Sequence, residues 1–134
     1  MKERIKVVLD SSAVIALSKL GYLREMLHVF NEVVVPAAVY EEVCIRGQGL
    51  PGDRSLREAI EEGVVSVKRV RSRSVVEELC QDLSLGEAEA IALALEEEAD
   101  FVVLDDRLAR RRAYELGLNV AGTLVSSRCS MTKG

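Results

Sequence analysis

Short runs of β-branched and other apolar residues alternate along this chain with longer segments of helical periodicity. Turn-forming residues bound these runs, which are Ile5–Leu9, Val33–Val35, Val64–Val67, Phe101–Leu104 and a short last one at Asn119–Ala121. Strands that alternate with helices favour a parallel sheet covered by helices on both faces. A length of 134 residues suits one such domain. We therefore predict a single α/β domain over residues 1–134, with a frayed or truncated tail at about 126–134.

The composition argues against several kinds of function and favours carboxylate chemistry. The formal net charge of −4 and isoelectric point near 5.1 argue against binding nucleic acid by bulk positive charge. His28 is the only histidine, the three cysteines are far apart, and no glycine-rich phosphate-binding motif is present. This cysteine usage is typical of a reducing cytoplasm, and the lack of an apolar run of about 18 residues argues against a membrane span. Any catalysis would then rest on acidic residues.

Acidic residues follow two of the predicted strands and lie on two of the predicted helices. Asp10 stands at the carboxyl end of the first strand, and Asp105 and Asp106 follow the fourth, about 95 residues later. Glu42 lies on the third predicted helix, and Glu87 lies in the first turn of the clearest one. Because the carboxyl ends of parallel strands meet at one edge of a sheet, these acids can converge. Clustered carboxylates are typical ligands of Mg²⁺ or Mn²⁺, and these ions commonly catalyse reactions at phosphate groups.

These acids also have structural interpretations, which the sequence leaves open. Asp10 or Ser11 is a good N-cap for the helix that follows the first strand. The segment Ser84-Leu-Gly-Glu87 matches a capping box, which would give Glu87 a structural role. Glu89 lies about 200° around the helix from Glu87, so the two carboxylates cannot both point into one site. Either Glu87 or Glu89 is therefore the candidate acid on this helix.

Basic residues form three groups, and the last group lies directly beside an acidic pair. Arg54 and Arg57 flank the central loop, a basic run covers residues 68–73, and four arginines (Arg107, Arg110, Arg111 and Arg112) follow Asp105 and Asp106. Arginines beside a metal pocket can bind the phosphate of a phosphodiester substrate while it is attacked. Arg107 and Arg110 are therefore candidate substrate-binding residues. The alternative is a solvated helix face that balances nearby glutamates. Because aromatic residues are few, contact with nucleic acid would rest mainly on its backbone charge.

Three segments, in order along the chain, resemble motifs of the PIN-domain ribonucleases, and especially of the VapC-type toxins and their prokaryotic relatives. They are VVLDSSAVIAL around Asp10, VVVPAAVYEEV with Glu42 at its acidic position, and LGEAEAIALALEEEADFVVLDDRLARRRAYELGL, which contains Glu87 and Asp105. Together they cover most of the chain. Many relatives carry aspartate at the third acidic position, where this chain has Glu87, with Glu89 as the alternative.

The resemblance implies a three-layer α/β/α fold with a central parallel sheet, and an acidic pocket that binds Mg²⁺ or Mn²⁺. It implies hydrolysis of RNA phosphodiester bonds at that pocket. The catalytic residues would be Asp10, Glu42, Glu87 and Asp105, and the metal ligands Asp10, Glu87, Asp105 and Asp106. Ser11 or Ser12 would help to hold the pocket by hydroxyl hydrogen bonds. Together with Arg107 and Arg110, which are candidates because of their position, these two serines are the candidate substrate-binding residues.

The same resemblance implies partners. We expect an RNA substrate, an antitoxin protein if the chain is one half of a toxin–antitoxin pair, and a homodimer, all in the cytoplasm and away from membranes. One competing class is a catalytically inactive PIN-like binding or regulatory module, since a fold alone does not determine activity. Another is a phosphoacceptor receiver domain. It is disfavoured because the first strand ends in Asp10 alone and neither of the last two strands ends in lysine.

Overall fold

The computed structural model of the chain describes residues 5–121, apart from the side chain of Met26. The strands are β1 (Lys6–Leu9), β2 (Glu32–Pro36), β3 (Val65–Lys68), β4 (Phe101–Val103) and β5 (Val120–Ala121). The helices are α1 (Ser11–Leu20), α2 (Leu23–Val29), α3 (Ala37–Tyr40), α4 (Asp53–Glu61), α5 (Arg73–Leu79), α6 (Leu85–Glu97) and α7 (Arg107–Glu115). The tail predicted at 126–134 lies outside the described residues.

The five strands form one sheet in the order β3-β2-β1-β4-β5, and every pair in it is parallel. Val8 of β1 pairs with Val34 of β2 on one side and with Val102 of β4 on the other. The chain therefore builds outward from β1 to β3 and then returns to the opposite side of β1. This reversal opens a crevice at the carboxyl ends of β1 and β4, which is where sheets of this kind bind ligands.

Alternate side chains of each inner strand lie on opposite faces of the sheet and enter two separate cores. In β1, Val7 and Leu9 pack on one side with α1, α2 and α4, whereas Val8 packs on the other with α5, α6 and α7. Val33 and Val34 of β2 divide in the same way. Because both faces of β1 and β2 are buried at the middle of the sheet, the central residues of these two strands are all apolar. The predicted three-layer α/β/α fold is confirmed.

The helix boundaries follow local signals in the sequence. Gly21 ends α1 in the left-handed conformation, with φ of 77°, which glycine adopts without the steric cost that other residues meet. Ser84 and Glu87 form the predicted capping box at the start of α6. None of the helices within residues 5–121 is long and apolar enough to span a membrane.

The helix predicted around Glu42 differs from an ordinary α-helix. After one turn as α3 it widens into a π-helix over Glu41–Arg46, called the π segment below. Gly47 ends the segment, and a Cβ at this position would lie only 2.8 Å from the carbonyl oxygen of Val43. The sequence pattern did not predict this widening, because π-helices differ from α-helices in backbone pairing rather than in composition.

Two charged residues of α4 anchor the end of the π segment. The Arg57 guanidinium donates to the carbonyl oxygen of Cys44 at 2.6 Å and to the Asp53 carboxylate at 3.0 Å. That carboxylate also accepts from the backbone N–H of Gly49 at 2.8 Å. The Gly49 hydrogen bond lowers the pKa of Asp53 most, burial opposes this shift, and the Arg57 guanidinium lowers the pKa further. These contacts hold the loop that follows the π segment, and so they hold the backbone that carries Glu42.

Candidate carboxylate site

The candidate site lies at the carboxyl edge of the sheet, in the crevice between β1 and β4. Asp10 follows β1 directly, and Asp105 follows β4 by two residues. Because β1 and β4 are adjacent and parallel, both acids emerge at the same edge. The predicted convergence of these two parts of the chain is therefore present in the structure.

Asp10 is the buried centre of the site. Its side chain has no exposed surface, and its Oδ1 accepts from the backbone N–H of Ala13 at 2.7 Å, which caps α1. Its Oδ2 is buried and has no hydrogen-bond partner within the described residues. Burial raises the pKa of Asp10 to about 7, the Ala13 hydrogen bond opposes this shift, and the negative charges of Glu87, Asp105 and Glu42 add to it. These three carboxylates thus lie within electrostatic reach of Asp10.

Gly86 allows Glu42 to approach the start of α6. A Cβ at position 86 would lie 3.1 Å from Glu42 Oε1 and 3.4 Å from Ser11 Oγ. Such a Cβ would crowd both side chains, so the glycine keeps the space between α6, the π segment and α1 open. Ser11 is buried at this point, whereas Ser12 beside it is exposed. Of the two serines predicted to support the pocket, the structure places Ser11 next to a candidate acid.

The structure gives Glu87 and Glu89 different surroundings. The charge of Glu87 acts on Asp10, and its carboxylate also accepts from the backbone N–H of Ser84 at 3.1 Å. Glu89 is only 6% exposed and pairs with Arg73 at 2.8 Å. Its other oxygen accepts from the backbone N–H of Ala38 at 3.1 Å. Glu87 is therefore the acid of α6 that faces the carboxylate site, while Glu89 joins α6 to α3 and α5.

The remaining predicted residues lie around the start of α7. Asp106 is exposed and caps α7, with its Oδ2 accepting from the backbone N–H of Ala109 at 3.0 Å. Arg107 is exposed and Arg110 is half-buried in the first turns of the same helix. Neither arginine forms an ion pair with another described residue. Both are therefore free to meet an anion that reaches the β4 side of the crevice.

The chemistry of these side chains suits a hard divalent cation, which takes oxygen ligands and favours carboxylates. The buried Oδ2 of Asp10 is an acceptor that lacks a partner, as expected of a ligand atom. Within residues 5–121, however, no three acidic, histidine or cysteine side chains are close enough to hold a metal as they stand. Three of the candidate acids are engaged as helix caps in this arrangement, namely Asp10 through Oδ1, Glu87 through Oε1 and Asp106 through Oδ2. The carboxylates are thus of the right chemical type to bind a metal, but in this arrangement they are too far apart to bind one together.

Two features near the site were missed by sequence reasoning. Arg73 belongs to a basic run that suggested only a charged surface, yet it pairs with the buried Glu89. Gly86 lets Glu42 approach α6 closely, and its only sequence signal was the glycine before the acid in the third motif. Both contacts join residues far apart in the chain, so local patterns could not reveal them.

Comparisons with known proteins agree with this fold. The family model DUF3368, described as a PIN domain, matches residues 6–125. A PilT N-terminus domain protein from the hyperthermophilic archaeon Sulfolobus solfataricus P2 superposes with a TM-score of 0.61 at 22% identity, over 97% of this chain and 98% of that one. A domain of a functionally unknown protein from Methanocaldococcus jannaschii gives 0.60 at 20% identity, over 97% and 94%. No curated protein matches significantly.

The family match covers nearly the whole described chain, and the two solved structures share its fold. PIN domains are generally nucleases, and they typically use divalent metal ions. The carboxylates at the crevice between β1 and β4 lie where a parallel sheet of this order binds its ligand. The chain therefore belongs to the PIN-domain family.

Proposed function

We propose that this chain is a metal-dependent endoribonuclease that hydrolyses RNA phosphodiester bonds at Asp10, Glu42, Glu87 and Asp105. The observation that carries the proposal is the buried Asp10 carboxylate, whose Oδ2 lacks a partner and whose surroundings hold three further acids. Without a cation, ionising Asp10 is unfavourable, because burial and the negative charges of the three neighbouring acids both raise its pKa. A bound Mg²⁺ or Mn²⁺ would relieve this repulsion.

Each acid of the proposed site comes from a different element of the fold. The Ala13 N–H holds Asp10 Oδ1, which leaves Oδ2 as the atom that would bind a cation. Glu42 and Asp105 approach from the π segment and from the end of β4, and Glu87 approaches from α6. A metal held by these carboxylates would lower the pKa of a water molecule, so that it can act as the nucleophile, and would neutralise negative charge on the phosphate. The fold would hold the four carboxylates in place, and the protein would orient the phosphodiester of the substrate.

The substrate-binding part of the proposal rests on local charge. The chain carries a net charge of −4, so a polyanion must be attracted by particular cations rather than by the whole surface. Arg107 and Arg110 stand at the start of α7, directly after Asp105 and Asp106, and have no ion-pair partner among the described residues. Their guanidinium groups can donate strong, charge-assisted hydrogen bonds to phosphate oxygens. We assign them to the phosphates beside the scissile bond.

Cleavage of a labelled single-stranded RNA tests this proposal. The purified protein is incubated with Mn²⁺ or Mg²⁺, with an EDTA control, and beside the variant Asp10→Asn. We expect cleavage that requires the metal and is lost in the variant, whose amide keeps the α1 cap but cannot serve as an anionic ligand. The matched control is Glu61→Gln, which neutralises an exposed acid on α4 and should cleave like the wild type.

The outcomes separate the nuclease from its alternative. Cleavage that continues in EDTA, or that persists in Asp10→Asn, would contradict the proposed chemistry. If the protein cleaves no RNA from a varied set, the catalytically inactive PIN-like binding module becomes the better interpretation. Metal titration followed by calorimetry then shows whether the carboxylates bind a cation at all.

We also propose the toxin role in the cytoplasm, with an antitoxin protein and a homodimer as partners. Several large apolar side chains are well exposed and could be covered by another protein, including Tyr114 at 77%, Val29 at 67% and Leu50 at 62%. Sedimentation of the purified chain tests the dimer. Growth arrest on expression of the wild type, but not of Asp10→Asn, tests the toxin role.

A further inference from the structure

A surface cavity lies beside the carboxylate site and takes no part in the function proposed so far. Its volume is about 350 Å³, and its lining includes Ala37, Arg69, Val70, Arg73, Leu85 and Glu89. Two of its lining residues directly precede residues of the carboxylate site in the sequence. Glu41 precedes Glu42, and Leu85 precedes Gly86. The cavity and the carboxylates thus adjoin along the π segment and the first turn of α6.

The two arginines of this cavity differ in their contacts. Arg73 is held by the buried Glu89, through one N–H at 2.8 Å, while 54% of its side chain remains exposed. Glu89 is fixed in turn by the N–H of Ala38. Arg69 is exposed and has no ion pair or side-chain hydrogen bond with any other described residue. One guanidinium is therefore positioned by the protein, and the other is available to an anion.

The order of the strands places this cavity on a definite side of the site. Arg69 follows β3, at one edge of the sheet, whereas Arg107 follows β4, on the other side of β1. The candidate acids lie between them, after β1 and β4 and on the helix after β2. A strand of RNA that contacts both arginines would cross the carboxylates on its way.

We propose that the cavity binds one nucleotide of single-stranded RNA next to the scissile phosphate, an inference that rests on the proposed ribonuclease function. Its volume lies in the range of small-ligand pockets, which begins at about 300 Å³. Arg69 meets the phosphate of this nucleotide, since arginine pairs well with phosphate oxygens. Val70 and the partly exposed Leu85 provide apolar surface for its ribose and base. The cavity thereby adds a subsite on the β3 side.

Binding of RNA in the absence of metal tests the subsite separately from catalysis. A fluorescein-labelled single-stranded RNA is titrated with protein in EDTA, and anisotropy gives Kd at several salt concentrations. We expect Arg69→Gln to weaken binding about tenfold. It should also lower the slope of log K against log salt by about 0.7, the value for one phosphate contact on a single strand. The matched control is Arg54→Gln, which removes a charge that is 91% exposed on α4.

A second variant tests shape rather than charge. Ala37→Leu places a larger side chain in the cavity at the first residue of α3 and removes no cation. We expect weaker binding with an unchanged salt slope, because the nucleotide is displaced while its phosphate contacts elsewhere remain. The thermal unfolding midpoint of each variant shows that the fold is retained.

The results can overturn the subsite alone or together with the proposed function. If Arg69→Gln binds RNA as tightly as Arg54→Gln while the wild type cleaves RNA with Mn²⁺, the subsite is wrong and the nuclease stands. If the wild type does not bind RNA in EDTA, the subsite is also wrong, because its arginines do not depend on metal. If the wild type neither binds RNA nor cleaves it with Mn²⁺, both proposals fail.

Discussion

Replacing Asp10 with asparagine should stabilise the metal-free protein above neutral pH, although it should abolish the proposed ribonuclease activity. The Asp10 carboxyl group is fully buried, and burial raises its pKa to about 7. In the unfolded chain this pKa is about 3.9. The folded protein therefore binds the proton more tightly than the unfolded chain, so its free energy of unfolding falls as pH rises from about 4 to about 7.

The size of the effect follows from that difference. About three pH units at about 1.4 kcal/mol each correspond to a penalty of about 4 kcal/mol once Asp10 is ionised, which is an upper limit. Asparagine removes the charge, and its Oδ1 can still accept from the N–H of Ala13. Its amide N–H₂ takes the place of the unpartnered Oδ2, and leaving it unsatisfied costs about 1–3 kcal/mol. The net gain is then about 1–3 kcal/mol at pH 8. At pH 4 the neutral Asp10 carboxyl carries almost no ionisation penalty, so the unsatisfied amide makes the variant about 1–3 kcal/mol less stable than the wild type.

Urea unfolding in EDTA at pH 8 and pH 4 measures this gain. The matched control is Asp106→Asn, because Asp106 makes the same kind of capping hydrogen bond at the surface, to the N–H of Ala109 at 3.0 Å. We expect the control to change the free energy of unfolding by only a few tenths of a kcal/mol at either pH, since asparagine is an equally good cap.

Two results would refute the reasoning. One is destabilisation of Asp10→Asn at pH 8, which would mean that the carboxylate stabilises the metal-free fold. The other is a difference between wild type and variant that does not depend on pH, since a buried group that titrates near pH 7 must produce a pH-dependent difference.

Three further predictions test the site and its supports. Mn²⁺ at about 100 times its Kd should raise the unfolding free energy of the wild type by about 2.7 kcal/mol at pH 8; a similar rise for Asp10→Asn would contradict Asp10 as a ligand. Gly47→Ala should cost about 1–3 kcal/mol in urea unfolding, because its Cβ would lie 2.8 Å from the Val43 carbonyl oxygen; an unchanged midpoint would disprove that contact. Ser84→Ala should cost about 1 kcal/mol through the lost cap of α6, while circular dichroism shows the helix content retained; no loss of stability would show that the cap contributes little.

Local patterns were enough to predict the elements and their class. The valine-rich runs at β1 and β2 predicted strands buried on both faces, and the structure confirms this with side chains that alternate between two cores. Gly21 and the Ser84–Glu87 box marked a helix end and a helix start, because the backbone at these points is governed by neighbouring residues. The placement of Asp10 and Asp105 at one edge followed from parallel pairing alone.

The choice between Glu87 and Glu89 depended on contacts across the fold. Both acids lie on one helix turn, and the sequence could say only that they point in different directions. Arg73 and the N–H of Ala38 hold Glu89 away from Asp10, and these partners lie 16 and 51 residues away in the chain. A local sequence pattern cannot predict contacts between residues so far apart in the chain.

The strands, most of the helix boundaries and the meeting of Asp10 and Asp105 at one edge of the sheet could be predicted from the sequence, because short-range spacing and parallel pairing control these features. Three features depend on tertiary packing instead: the widening of the helix at Glu42, the open space at Gly86, and the burial that raises the pKa of Asp10 to about 7. Those properties arise where α1, α6 and the π segment pack together. Burial and electrostatic coupling depend on which distant segments meet, and that is settled only by the folded chain.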